Sequence, residues 1–209
     1  MFERELRDLA FVPRWVIARK IHQQSVAEHS FFVAVYADQI ARVLGWPMDG
    51  TPSKVDRRRL DLLRAALWHD AEECATGDIP GPAKKKLVPN PHHRKVTSYE
   101  YKTARFGHHD WVTGQWEPAI DAILHTANLL EECLYLSGEV QMGNRAVSHM
   151  LQASTEALMK SLKELPLIDR AREERLASLI WKALDREEHE TSRLITLDSM
   201  TNTAVVDVR

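Results

Sequence analysis

Long runs rich in Ala, Leu, Glu and Arg, with few β-branched alternations and only eight glycines in 209 residues, constrain this chain to helices. The expected fold class is therefore all-α. With 44% hydrophobic and 28% charged residues, the chain has enough apolar material for one soluble domain with an ample core. Lys and Arg total 28 against 30 Asp and Glu, a net charge of −2, so no global charge points to a nucleic-acid polymer or a membrane surface. No apolar run approaches the roughly 20 residues of a membrane span, and Met1 to Leu9 is charged and amphipathic rather than signal-like. Cys74 and Cys133 share no CxxC spacing and read as reduced thiols. The expected setting is cytoplasmic.

Taken in order, residues 2–10 read as a short helix that Pro13 ends, leading into Arg14 and Trp15. Ser25 with Glu28 forms a capping box, opening a helix through about Leu44 that Gly45 and Pro47 stop. Ser53 is expected to cap a second helix with Leu60, Leu63, Ala66 and Leu67 on its apolar face, running through His69 and Asp70 to Thr76-Gly77-Asp78. Lys84-Lys85-Lys86 and residues 87–95 read as solvated loop, 97–107 as helix and 108–116 as loop. A long helix is expected from about Glu117 to Ser137, stopped by Gly138, with Ile120, Ile123, Leu124, Ala127, Leu130 and Leu134 inward. Two further amphipathic helices, about 145–163 and 167–188, precede a β-branched, polar end over 191–209 that is expected to be extended or loosely ordered. The domain is expected to occupy residues 1–190.

Chemistry concentrates around residues 66–82. His69 and Asp70 are adjacent, and Glu73 falls one helical turn on if the helix is continuous. A neutral imidazole beside a carboxylate suits a divalent ion, and a second carboxylate one turn away suits a base acting on water. His29, in the first turns of another helix, supplies a second imidazole, which leaves positions open for water and substrate. His92-His93 and His108-His109 lack a repeated ligand spacing.

Four motifs in order carry a more specific likeness: Arg14-Trp15, Ser25 to Ser30 around Glu28-His29, Trp68-His69-Asp70-Ala71-Glu72-Glu73, and Thr76-Gly77-Asp78-Ile79-Pro80-Gly81-Pro82. Over roughly residues 10–140 the chain resembles the HD-domain phosphohydrolases, and within them the 5′-deoxynucleotidase branch. The resemblance implies a single HD-domain helical bundle with one divalent ion, cobalt, manganese or zinc, held by His29, His69 and Asp70. It implies that Glu73 activates or positions the attacking water and that Arg14 orients the phosphate. Trp15 then lies beside the nucleoside, while Asp78, Ile79, Pro80 and Gly81 receive sugar and phosphate, near His29. A guanidinium grips phosphate oxygens bidentately, and an indole offers a flat stacking face. The implied partners are a deoxynucleotide substrate and, on family grounds, further copies of the chain as a homo-oligomer.

One position departs from that pattern. The family has a later aspartate as fourth ligand, where His125-Thr126-Ala127-Asn128 places asparagine. Asn128 either ligates weakly through its amide oxygen beside the substrate, or stands where an aspartate has been replaced. A third reading gives the role to Asp121, about 10.5 Å along the helix. The implied activity is removal of the 5′-phosphate from 2′-deoxynucleoside 5′-monophosphates. The rivals are dNTP hydrolysis of the dATP triphosphohydrolase kind, with Lys84, Lys85 and Lys86 holding extra phosphates, and a non-catalytic nucleotide-binding protein with a degraded metal site.

Overall fold

The computed structural model describes residues 4–47, 52–87, 91–106, 117–166 and 169–185, and its regular elements are helical. A 3₁₀ helix over Arg4–Ala10 leads to an irregular segment in which Pro13 and Ser25 form a single antiparallel bridge. Helix α1, Val26–Leu44, starts at the expected capping box. Ser25 Oγ accepts from the Glu28 amide at 3.2 Å, and the Glu28 carboxylate accepts from the Ser25 amide at 2.7 Å. It ends at Gly45, whose φ of 67° is a left-handed conformation natural to glycine.

The second helix departs from expectation in length and in face. Helix α2 spans Pro52–Trp68, which puts Ser53 inside the helix rather than before it, and His69 and Asp70 lie beyond its end. Two substitutions of hydrogen-bond partner account for the break. The Ala66 carbonyl, which a continuing helix would offer to the Asp70 amide, faces His69 Nδ1 at 2.6 Å. The His69 carbonyl accepts from Lys102 Nζ, and the Glu73 amide bonds back to Asp70 at 3.0 Å instead. Its inner stripe is Leu62, Ala65 and Ala66, with Leu63 partly buried, while Leu60 and Leu67 are 45% and 49% exposed. So many Leu and Ala lie between 60 and 67 that two stripes fit the period; packing against α1 selects one.

After a short α3, Glu73–Thr76, Gly77 turns the chain with a φ of 69°. Helix α4, Gly81–Leu87, makes the lysine run helical rather than a loop. Helix α5, Pro91–Phe106, does the same for the backbone of His92 and His93 and begins earlier than expected. Helix α6, Pro118–Gln141, passes through Gly138 and stops at Gly143, whose φ is 96°. There the Asn144 amide bonds the Glu139 carbonyl, so the stop is made one turn later than a lone glycine signals. A 3₁₀ turn over Arg145–Val147 precedes α7, Ser148–Lys163, and Asp169 caps α8, Arg170–Leu184, which ends short of 188. The expectations for residues 108–116 and 191–209 lie outside the described residues.

Helix α6 is the spine. It packs on α1 and α7, α1 packs on α2, and α8 closes against α1, α6 and α7. The main core joins Val33, Ile40 and Leu44 of α1, Leu62 of α2, Ile120 and Ile123 of α6, Leu158 and Leu162 of α7 and Ile180 of α8. Each such side chain contributes about 1.5–3 kcal/mol by burial. A smaller cluster puts Trp68, Ala71 and Cys74 against Phe106 and Tyr101, so α5 clasps the turn that carries His69 and Asp70.

Candidate active site

Three side chains from two separate stretches converge on one point. His29 comes from the second turn of α1 and is fully buried; His69 and Asp70 come from the turn after α2. His29 Nε2 and His69 Nε2 stand 3.1 Å apart, and Asp70 Oδ2 lies 3.0 Å from His69 Nε2 and 3.6 Å from His29 Nε2. One donor atom from each of the three lies within 4.8 Å of the others, an arrangement able to hold a metal ion. The outer nitrogens are already engaged: His69 Nδ1 with the Ala66 carbonyl, and His29 Nδ1 with Glu131 Oε2. With protons on both Nδ1 atoms, both Nε2 lone pairs point at each other and at a carboxylate. A cation between them relieves that contact, so the donor set fits a divalent ion.

The three groups are shifted in different directions. Burial lowers the His29 pKa below its ordinary 6.5, the Arg14 charge adds to this, and the Glu131 hydrogen bond opposes it, which keeps the ring neutral. Burial also acts to lower His69, but the Asp70 carboxylate outweighs it and raises that pKa. Asp70 is itself held well below the usual carboxylate range, its burial overcome by the two histidines and Lys84.

Glu73 does not reach the site as the next turn of a continuous helix. It opens α3, buried, with Oε1 on Lys84 Nζ at 2.7 Å and Oε2 buried without a hydrogen-bond partner among the described residues. Burial and the Asp70 charge push its carboxyl up to about 7, against the pull of Lys84. Glu72 points elsewhere, tying Lys102 at 2.9 Å and Ser98 at 2.6 Å. Lys84 is thus a partner of Glu73 before it is a phosphate ligand; Lys86 is exposed.

The Arg14 guanidinium reaches the same centre from the N-terminal segment, with Nη1 on Glu131 Oε2 at 3.1 Å and beside His29 Nδ1. Trp15 adopts a left-handed backbone, φ 60°, unusual for a non-glycine residue. Asp78 stabilises it by accepting the Trp15 amide at 3.1 Å, which ties the Asp78 loop to the Arg14 segment. The indole stacks on Tyr135, with centroids 5.4 Å apart and planes at 4°. Ile79 and Pro80 are half-buried in the connecting loop, and Gly81 opens α4 at the surface. Asn128 is half-buried on α6, one turn before Glu131.

A family model described as 5′-deoxynucleotidase YfbR-like matches residues 1–178. The chain belongs to the YfbR-like family. A 5′-deoxynucleotidase of Enterobacter sp. (strain 638) is 36% identical over 83 residues, 40% of this YfbR-like chain and 39% of that protein. One of Yersinia pestis (strain Pestoides F) is 33% identical over 101 residues, 48% of this chain and 45% of its own. The matches thus span less than half the length of these curated relatives. Cyanophage S-2L HD phosphohydrolase (DatZ), bound to dA and one catalytic Zn²⁺ ion, has a TM-score of 0.66 at 17% identity, over 89% of this chain and 98% of that one. An HD-domain phosphohydrolase of Listeria innocua (lin2634) has a TM-score of 0.64 at 19% identity, covering 96% of each chain. The all-α fold of this YfbR-like chain is therefore the HD-domain helical bundle.

Sequence reading missed Glu131, Gln24 and Lys102. Glu131 carried a usable signal: it lies four residues after Ala127 and next to Leu130, a charge on the inward stripe of α6.

Proposed function

We propose that this chain removes the 5′-phosphate from 2′-deoxynucleoside 5′-monophosphates, using one divalent ion of the cobalt, manganese or zinc type. The observation that carries the reading is the convergence of His29, His69 and Asp70 donor atoms beside a buried Glu73 carboxylate. Membership of the YfbR-like family and the 5′-deoxynucleotidase names of the matched relatives support it. Zinc in DatZ supports zinc as one of the ions to test.

In this mechanism His29, His69 and Asp70 would hold the ion, and Asn128 would add a neutral oxygen donor. When bound, the ion supplies Lewis-acid chemistry to a phosphoryl oxygen and acidifies water. Glu73 orients the attacking water and takes its proton at Oε2, the oxygen that Lys84 does not occupy. Arg14 offers N–H groups to the phosphate and balances charge as the phosphorus–oxygen bond to the nucleoside breaks and the departing oxygen takes a proton from solvent or a nearby acid. Trp15, braced on Tyr135, lies along the nucleoside, and the Asp78 loop with Ile79, Pro80 and Gly81 closes on sugar and phosphate.

Lys84 bears on the rival reading. Its ion pair with Glu73 occupies one of the three lysines invoked for extra phosphates, which favours the monophosphate. The test is product identity from dAMP, AMP and dATP with each metal. Inorganic phosphate from dAMP but not AMP is the expected result; tripolyphosphate from dATP alone would overturn it. An Asn128→Asp comparison completes the test, since inactivity of both forms with every metal would leave a nucleotide-binding role.

A further inference from the structure

Glu131 is a carboxylate almost fully buried on α6, and every hydrogen-bond partner it has among the described residues belongs to the site or braces it. Oε2 accepts from His29 Nδ1 and from Arg14 Nη1, the latter at 3.1 Å. Oε1 accepts from the Gln24 amide, and Gln24 Oε1 in turn lies 3.4 Å from Arg14 Nη1. One oxygen atom thus serves both a metal-ligand imidazole and a phosphate-binding guanidinium. Those two residues sit on different segments, so no local rule of sequence brings them together.

We propose that Glu131 is a positioning residue that locks His29 in its metal-binding tautomer and holds Arg14 toward the substrate phosphate. The proposal rests on the metal-dependent reading above. A proton on Nδ1 committed to a carboxylate leaves Nε2 as a lone pair facing His69 and Asp70, and it makes that nitrogen a stronger donor. The charge balance requires the same group. Asp70 is the single anionic donor of the cluster, so a divalent ion there leaves the centre positive, with the Arg14 cation beside His29. Glu131 is a buried anion on the side of the cluster where Arg14 and His29 meet, and it offsets the positive charge there. Only Nη1 of Arg14 is engaged in the contacts described, which leaves Nε and Nη2 for an anion.

The experiment titrates Co²⁺ alone into wild type, Glu131→Gln, Glu131→Ala and Leu136→Ala, reading visible absorption, with kcat and KM for dAMP measured alongside. Leu136 is fully buried on the same helix and its side chain carries no polar atom, so it reports what mere destabilisation of α6 does. The expected result is cobalt affinity weakened roughly 10–100-fold in both Glu131 variants, with an altered spectrum. KM for dAMP rises in the same two, and Leu136→Ala keeps wild-type affinity and spectrum while melting lower. Cobalt bound by Glu131→Gln as tightly as by wild type, or weakened equally in Leu136→Ala, would overturn the role of Glu131. Failure of wild type to bind cobalt would instead sink the metal reading on which it rests.

Discussion

Glu73 shows how one side chain can be assigned a role from its two oxygens. Oε1 is held by Lys84, and Oε2 is buried and unbonded among the described residues, an expensive state unless something polar meets it. The attacking water of the proposed reaction would meet that need without making Glu73 a ligand. Glu73→Ala is therefore expected to retain metal, measured by elemental analysis, while turnover falls by roughly 10²–10⁴-fold. Loss of the metal together with activity would make Glu73 a ligand rather than a base. At the same scale, His69 performs two tasks with one ring: Nδ1 meets the Ala66 carbonyl where α2 ends, and Nε2 faces His29 and Asp70.

Between elements, the decisive contacts join the irregular N-terminal segment to α6. Glu139, fully buried on α6, accepts from the Ile21 amide at 2.7 Å, the His22 amide at 2.6 Å and Asn144 Nδ2 at 2.6 Å. It pins the segment that carries Arg14 and Trp15 to the spine of the bundle. Burial acts to raise its carboxyl, yet the hydrogen bonds from Asn144, Ile21 and His22 hold it below the ordinary 4.5. A depressed folded value means the stabilisation is complete above about 4.5 and is lost as pH falls through the lower folded value. Glu139→Gln is expected to cost about 1.5–3 kcal/mol at pH 7, because hydrogen bonds to a charged acceptor are lost. Denaturant unfolding across pH 7 to 3 checks it: the wild-type loss at the acid end should be smaller in the variant. An equal pH slope in both proteins would mean the carboxylate charge contributes nothing.

For the molecule as a whole, a metal at the proposed site would link binding to folding. The three candidate donor residues come from α1 and from the turn after α2, which only the packed bundle brings together. An ion that binds only the native state stabilises it by about 2.7 kcal/mol at a concentration 100 times its Kd. Melting midpoints are thus expected to rise with Co²⁺, fall with chelator, and lose that response in His69→Ala. A midpoint indifferent to metal in wild type would contradict a resident ion. No helix among the described residues is long and apolar enough to cross a membrane.

Local rules could be read directly, because they act within four residues. The Ser25–Glu28 box and the Gly45 stop both behave as short-range chemistry demands. Reading failed where long-range packing competes with a local signal. Helix α2 ends at Trp68 because Lys102, 33 residues on, takes the His69 carbonyl, and α6 overrides Gly138 because its stop is built around Gly143 and Asn144. Composition and spacing thus decided that the chain is helical and where its metal-binding residue types lie. Tertiary structure alone decided that Arg14 meets Glu131 across 117 residues and that Lys84 meets Glu73. Taking a carboxylate out of water is costly unless the fold brings a cation into contact with it, and that meeting is not written in the residues flanking either partner.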